Sequence, residues 1–506
     1  MADDSTGRKD STGSKDSTGS AGGAGTIRIG STRGRMVLLA TVLGSTMALL
    51  DSTVVNVALP HIGDDLDADL QQLQWVVTGY VLTLASLILV GGSLSDRLGR
   101  RRVFTVGIVW FALASLLCGI APSAPLLIGA RALQGVGGAL LTPGSLALIQ
   151  AVFHPDDRAR AVGVWSGLGG VGAAVGPFLG GWLVDGPGWR WVFLLNLPVA
   201  AVCVPLARRY VPETRAAGEP PGSDVAGAVL GVLALGLVTY AFIDTDWLTG
   251  VLGVLAGAAF VRTERRSRAP MLPPSLFASR TFTVINVVTL FVYAALTGFF
   301  FVVALQLQVV SGYSALAAGT AMLPTTVLML LLSGRSGALG ARIGPRLPLT
   351  AGCLLAAGGV LLLLRAGPGA SYLTDVLPGM ALLGMGLVAL VAPLTSTVLA
   401  YAPEDRSGIA SGVNNAIARA AGLLAVAALP LLTGMGPEVY RQPARFDAAF
   451  DRSVVWCAAA FAVAAALSWL LLRVPPAPAP VRPECRTHCA LTAPPLDPGR
   501  QRPKAK

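Results

Sequence analysis

The stretch Gly92-Ser93-Leu94-Ser95-Asp96-Arg97-Leu98-Gly99-Arg100-Arg101 joins two long apolar blocks in the first half of the chain. A second stretch, Gly337-Ala338-Leu339-Gly340-Ala341-Arg342-Ile343-Gly344-Pro345-Arg346, joins two more in the second half, with glycine, leucine and arginine recurring in register. A further pair supports the repeat: Pro155-Asp156-Asp157-Arg158 and Pro403-Glu404-Asp405-Arg406 each follow the apolar block two further on. The glycines permit a tight turn between antiparallel helices. Asp96 can accept hydrogen bonds or face a helix N-terminus, and the arginines hold the loop to one membrane face. The plainest reading is a basic loop that sets orientation; its duplication favours a structural gate. The second copy carries Ala341 where the first has Asp96, so its gating carboxylate is missing.

Working outward, the chain has 506 residues, 53% hydrophobic and only 13% charged. Soluble chains carry about 25% charged residues. The apolar excess falls in blocks of about the length that crosses a bilayer as a helix, roughly 20 residues. Such blocks satisfy their own backbone hydrogen bonds only as helices, and they are too long for the alternating strands of a membrane barrel. Fourteen candidate spans run approximately 36–60, 75–95, 103–121, 125–151, 159–184, 190–211, 224–243, 247–261, 281–310, 315–334, 347–365, 373–401, 407–434 and 453–473. The block at 247–261 is short, yet Arg262, Arg265, Arg266 and Arg268 follow it directly. Counting it as a span puts these arginines on the side of Arg97, Arg100, Arg101, Arg102, Arg208, Arg209, Arg342 and Arg346, opposite Asp64, Asp65, Asp67 and Asp69. Both termini are then cytoplasmic.

The expected architecture is an all-α polytopic membrane protein of 14 transmembrane helices. A six-helix bundle at 36–211 and a related one at 271–473 would be joined by a two-helix insert with flanking loops at 212–270. Related halves around a midplane site suit alternating access. Residues 1–35, with Asp-Ser-Thr-Gly repeating every six residues, and the proline- and arginine-rich 474–506 read as disordered cytoplasmic tails. The first apolar block is long enough to remain as a span rather than a cleaved signal. The net charge of +11 sits in short loops, which argues for membrane orientation rather than nucleic-acid binding. Cys485, His488 and Cys489 make three potential ligands where a structural zinc site takes four, so no metal and no cofactor is expected.

Several motifs together resemble the fourteen-helix drug:proton antiporter family of the major facilitator superfamily. Gly92 to Arg102 looks like the superfamily's loop between helices two and three, with Gly92, Asp96, Arg97, Gly99 and Arg100 as its gating residues. Leu50-Asp51-Ser52-Thr53-Val54-Val55-Asn56-Val57-Ala58-Leu59-Pro60 resembles the first-helix motif of the fourteen-helix branch. Arg131-Ala132-Leu133-Gln134-Gly135-Val136-Gly137 resembles the helix-four motif, whose arginine the resemblance assigns to proton coupling. Gly172-Ala173-Ala174-Val175-Gly176-Pro177-Phe178-Leu179-Gly180-Gly181 resembles the antiporter motif of span five, and Trp189 to Pro198 also fits, its aromatics marking the interface. The resemblance implies proton-coupled export of small molecules, such as drugs or antibiotics, across a bacterial cytoplasmic membrane, with the protein working as a monomer.

The residues carry an argument of their own. Asp51 is a carboxylate among apolar neighbours, and such groups are costly in lipid and functional by default. A carboxylate in apolar surroundings holds a proton more readily than one in water, as a proton carrier must. The alternative is a structural ion pair. Asp51 lies nine residues before Pro60 and Arg131 six after Pro125, so both sit roughly 10–14 Å below the same end of their spans and can meet. Gly172, Gly176 and Gly180 share one helix face and allow close packing, while Pro177 removes a backbone donor. Asn56, Gln134, Gln306, Asn414 and Arg419 are candidate cavity residues, although interhelical hydrogen bonding is the ordinary role of each amide. No Asp or Glu occurs between Glu264 and Asp375, and Arg419 is the charge inside the last spans, so the cavity should favour neutral or anionic amphipathic compounds over dications.

Other readings lack their residues. No Gly-rich loop ends in Gly-Lys-Ser/Thr, as a nucleotide-driven pump would need. The three histidines, His61, His154 and His488, are scattered, which argues against an enzyme. Uptake of a small metabolite is the nearest rival, and a membrane receptor or sensor is more distant, because fold alone does not set direction or role.

Overall fold

The computed structural model describes residues 27–215, 224–267, 270, 272–401, 407–436, 439 and 442–472. The tails before residue 27 and from 473 on, the Pro403–Arg406 copy of the second repeat, Arg268 and the Cys485–Cys489 cluster lie outside them, as do the side chains of 337–342.

The first helices are α1 (Thr32–Asp65), α2 (Leu70–Leu98), α3 (Arg100–Gly119), α4 (Ala124–Val152), α5 (Pro155–Asp185), α6 (Arg190–Leu194) and α7 (Asn196–Tyr210). A hairpin follows, α8 (Val225–Ile243) and α9 (Trp247–Arg266). The remainder are α10 (Arg280–Val309), α11 (Ala315–Ala321), α12 (Leu323–Ile343), α13 (Arg346–Leu362), α14 (Leu377–Ala400), α15 (Ser407–Thr433) and α16 (Pro443–Leu471). Every apolar block named above holds helix. Polar residues start them: the Ser31 hydroxyl accepts from Gly34 N at 3.0 Å, and Asp69 and Gln72 close a reciprocal capping box. α1 begins at Thr32, inside the stretch expected to be disordered. Residues ahead of it are also held: Ile27 pairs with the end of α4, and Arg28 bonds Asp156 at 3.2 Å.

Two blocks are broken helices rather than single rods. α6 stops at Leu194 and α11 at Ala321. Pro198 and Pro324, just beyond the breaks, cannot donate to the carbonyls four residues back. Among the described residues, eleven helical segments are long and apolar enough to cross a membrane, or twelve with the bent α2. α5 and α9 fall short: α5 is rich in glycine, and α9 is apolar only until Arg262.

α1–α7 pack on one another, with α4 between α2 and α3 and α1 against α5 and α7. α10–α16 form a second group, in which α10 lies on α15 and α16 and α14 on α12 and α13. α8 sits against both α2 and α15, and Gln71 donates to Ile243 O at 2.9 Å, tying the hairpin to α2. The arginine-rich ends of the helices define a basic end of the molecule.

The two groups meet at the opposite end. Gln74 donates to Val426 O at 2.8 Å, Gln308 to Val57 O at 3.0 Å, and Asp185 accepts from Ala315 N and Leu316 N at 3.1 and 2.8 Å. One apolar core runs through both groups there, from Val54–Ile62 of α1 to Phe299–Leu307 of α10. The basic half of the first group has a separate core, including Phe104, Leu148 and Phe153. At that end Gly163 and Gly167 of α5 face open space.

Candidate functional site

Asp51 and Arg131 are brought into contact. The guanidinium Nη1 donates to Asp51 Oδ2 at 2.5 Å, with the two side chains 0% and 1% exposed. Gln134, three residues beyond Arg131 and so on the same face of α4, completes the cluster. Its Nε2 donates to Asp51 Oδ1 at 2.8 Å, and its Oε1 accepts from Arg131 Nη1 at 2.6 Å. Arg131 Nε donates to Val76 O on α2 at 3.1 Å. Its guanidinium lies 4.3 Å from the centroid of the buried Tyr80 ring, with Phe193 also near.

A polar shell that sequence reasoning missed stands behind this cluster. Ser115 on α3 accepts from Gln134 at 3.2 Å and from Asn196 of α7 at 3.0 Å, and donates to Phe193 O at 2.8 Å. The network around Asp51 of α1 thus extends through Gln134 of α4 to α3 and α7, all within the first group. Protonating it would discharge the carboxylate while Arg131 stayed charged. An uncompensated buried charge is unfavourable by several kcal/mol, about 3–5 when one partner of a buried pair is removed. Proton uptake therefore has the leverage to favour a different arrangement of these helices.

The basic-end loop is built as a clasp. Arg100 donates from Nε and Nη2 to Asp96 Oδ1 at 2.9 and 2.8 Å, and from Nη1 to Ala147 O of α4 at 3.3 Å. Arg97 lies in the last turn of α2. Gly99 sits at φ +111° between α2 and α3, where a side chain would be strained and would also meet the Glu213 carboxylate. Glu213 accepts from Arg101 N at 3.1 Å, so the segment after α7 closes over this turn. Gly92 lies a little above it, facing Pro143.

In α5 the glycine face packs on α1: a Cβ at Gly172 would collide with Thr46, at Gly176 with Thr53 and at Gly180 with Val54. Gly181 instead faces Ala315 and Leu316 of α11, and the Pro177 carbonyl lies against Gly319. This motif therefore serves two contacts, one within the first group and one between groups. Asp185, at the end of α5, adds the carboxylate that accepts from the start of α11, and it too was missed from sequence.

The remaining candidates separate. Asn56 is half-buried on α1, and its Oδ1 has no partner. Asn414 donates to Asn286 Oδ1 and Thr289 Oγ1 at 3.0 and 2.8 Å, linking α15 to α10. Arg419 is on α15, which packs against α2 and α10, and is in electrostatic reach of Tyr80 on α2 and Tyr293 on α10. Gln306 is not in a cavity: it is fully buried in the second group, donating to Asp447 at 2.5 Å and Ala366 O at 2.8 Å. Trp189 is buried against Phe193 and bonds Asp65 at 3.1 Å, so of that motif's aromatics only Trp191 is outwardly exposed.

Comparison with known proteins agrees with this architecture. Residues 41–426 match the model of the Major Facilitator Superfamily. A puromycin resistance protein of Streptomyces alboniger is 39% identical over 415 residues, covering 78% of this chain and 80% of that one. A multidrug resistance protein, Stp, of Mycobacterium tuberculosis is 36% identical over 391 residues, 75% of this chain and 72% of that one. A tetracenomycin C resistance and export protein of Streptomyces glaucescens is 34% identical, with 78% and 75% covered. Among solved structures, a POT family transporter superposes with a TM-score of 0.65 at 15% identity, over 85% of this chain and 95% of that one. A bacterial homologue of the lysosomal transporter Spinster gives 0.59 at 19% identity, over 87% and 98%. The helical architecture and these similarities together place the chain, a multi-pass membrane transporter rather than an enzyme, in a drug-efflux family of the Major Facilitator Superfamily.

Proposed function

We propose that this protein exports small molecules, antibiotics or other drugs among them, from the bacterial cytoplasm in exchange for protons. The observation that carries the coupling is the sealed Asp51–Arg131–Gln134 cluster: the carboxylate is 0% exposed, and both of its partners come from α4 of the same group of helices. In a chain related to resistance and export proteins, a buried carboxylate that must exchange its partner for a proton is the simplest coupling element.

The rest of the reading follows the same chain of argument. The arginine-rich end faces the cytoplasm, which makes both termini cytoplasmic, with α5 and α9 as the thirteenth and fourteenth spans. Residues 36–211 and 271–473 act as two six-helix bundles that rock about a central cavity, with 212–270 inserted between them, and one copy suffices for transport. With contacts concentrated at the opposite end, this conformation is open toward the cytoplasm and ready to load. Asp96, Arg97, Arg100 and Gly99 would form the cytoplasmic gate that must close before release.

Asp51→Asn is the direct test. In everted vesicles the variant should lose pH-gradient-driven uptake of a fluorescent drug by at least about tenfold, the effect of a lost interaction of roughly 1.4 kcal/mol or more, while membrane insertion is preserved. Normal resistance and normal gradient dependence in the variant would overturn the assignment.

A further inference from the structure

Arg419 stands near the middle of α15 and differs from the buried cation of the first group, Arg131. Arg131 has three hydrogen-bond acceptors and a stacked ring. Arg419 has no hydrogen-bond or ion-pair partner among the described residues. It is partly exposed, and the ionisable groups in electrostatic reach are two tyrosines, Tyr80 and Tyr293. Acids are distant in sequence: none lies between Glu264 and Asp375, and the nearest to Arg419, Asp405, precedes it by fourteen residues. Two of the described acids of the second group are already engaged, Asp447 by Gln306 and Asp375 by Ser371 N at 2.8 Å.

A cation held at mid-membrane with nothing opposite it is unfavourable. Attraction between charges is also strongest where bulk water is scarce. A guanidinium presents paired N–H donors that match a carboxylate, a geometry lysine does not offer. Tyr80 supplies the other half of the argument. It belongs to the first group, stacks on Arg131, and is the group on that side within reach of Arg419. α15 itself packs against both α2 and α10, so the partly exposed Arg419, near the middle of that helix, stands at the junction of the two groups, where a transported compound would pass.

Resting on the efflux reading above, we propose that Arg419 is the anchor for a negatively charged group of the exported compound, a carboxylate or an ionised phenol or enol, held between the groups of helices beside Tyr80 and Tyr293. The rest of the compound would lie toward the basic end, where the half-buried Asn414 is held in place by the buried Asn286 and Thr289 to which it donates. An anion at Arg419 leaves the Asp51 cluster intact, so compound and proton have separate seats.

The test measures binding to the full-length protein in lipid nanodiscs with three fluorescent probes of one shape: 2-anthroate, anthracene-2-carboxamide and 2-(aminomethyl)anthracene. Empty nanodiscs correct for partition into lipid. The wild type should bind the anthroate roughly tenfold more tightly than the amide, the scale of one charge-assisted contact, and the ammonium least well. Arg419→Met should bring the anthroate down to the affinity of the amide and leave the amide unchanged. Arg419→Lys, which keeps the charge without the fork, should retain only part of the preference, and it decides the matter should Arg419→Met fail to fold. Equal binding of anthroate and amide by the wild type, or a preference that survives undiminished in the variants, overturns the proposal. Gradient-driven transport of the same probes in everted vesicles separates the two readings. Normal export of the amide with no role for Arg419 in anion binding removes the anchor and leaves efflux standing. An Arg419-dependent anion preference with no gradient-driven movement of any probe keeps the anchor and removes efflux.

Discussion

A carboxylate that exchanges protons from within a membrane has to be reachable at one moment and sealed at another. Asp51 is seen sealed, and the side chains that seal it are those that would have to move. Arg131 binds Asp51, Gln134 and Val76 O at once through a planar fork, which makes lysine a poor substitute. Arg131→Lys should cut gradient-driven efflux at least about tenfold, because a hydrogen bond to a charged group contributes roughly 1.5–3 kcal/mol. Arg131→Met should also destabilise the fold by about 3 kcal/mol, since it strands a buried carboxylate. Thermal unfolding in detergent, run beside the efflux assay, distinguishes the two. If lysine supports normal transport, the fork does not matter. Much of this cluster was legible in the sequence. Distances to Pro60 and Pro125 set Asp51 and Arg131 at one depth, and Gln134 shares a helix face with Arg131. Ser115, Asn196 and Tyr80 were not legible, because a lone polar residue in an apolar helix reads the same whether it faces a neighbour's backbone or a functional cluster. Gln306 shows the converse: it looked like a cavity amide and is spent on Asp447 and Ala366 O.

Among the helices, α5 combines low apolarity with close packing. Its glycine face admits α1 so closely that a single added methyl at Gly176 would run into the Thr53 hydroxyl. The same α1 carries Asp51, two residues from Thr53, so the spacing of α5 and α1 bears directly on the proposed coupling site. Gly176→Ala should lower efflux, and Gly176→Leu should abolish it, because overpacking a tight contact costs about 1–3 kcal/mol. Removing the obstacle provides the control: Gly176→Ala with Thr53→Ala should recover most of the activity lost by Gly176→Ala alone. A double variant no better than the single one would show that the α1 contact is not the cause. The spacing of the glycines revealed this face from sequence. The breaks after α6 and α11 were less visible, since Leu195 and Met322 at the breaks are ordinary helix formers. The signal lay in Pro198 and Pro324 downstream. Asp185 was hidden for another reason: a carboxylate at a helix end looks like an exposed surface charge until α11 arrives to donate two N–H groups to it.

For the molecule as a whole, the side-chain hydrogen bonds between the two groups, among the described residues, lie at the end opposite the arginines. Gln74 to Val426 O, Gln308 to Val57 O, and Asp185 to the start of α11 must each break if that end is to open. The sequence repeat implied two related halves, but it could not say which end would be shut, because that depends on pairings between halves rather than within them. Two of the three contacts use a side chain of the first group, and both can be deleted without touching the Asp51 cluster. Each contributes on the order of 1 kcal/mol, so losing both should shift the balance between states by roughly tenfold or more. Paired spin labels read this shift in a background lacking native cysteines. One pair, Asp64→Cys with Ser371→Cys, spans the closed end, and another, Arg102→Cys with Arg280→Cys, spans the basic end; all four positions are exposed or border solvent. In Gln74→Ala/Asp185→Ala, the first pair should gain a longer-distance population and the second a shorter one, as expected of two groups rocking about a central site. A lengthening at the first pair without shortening at the second would mean local fraying of α11 rather than rocking. Unchanged distances at both pairs would mean that the shared apolar core, from Val54–Ile62 to Phe299–Leu307, holds that end shut by itself, and that the polar contacts only set its register.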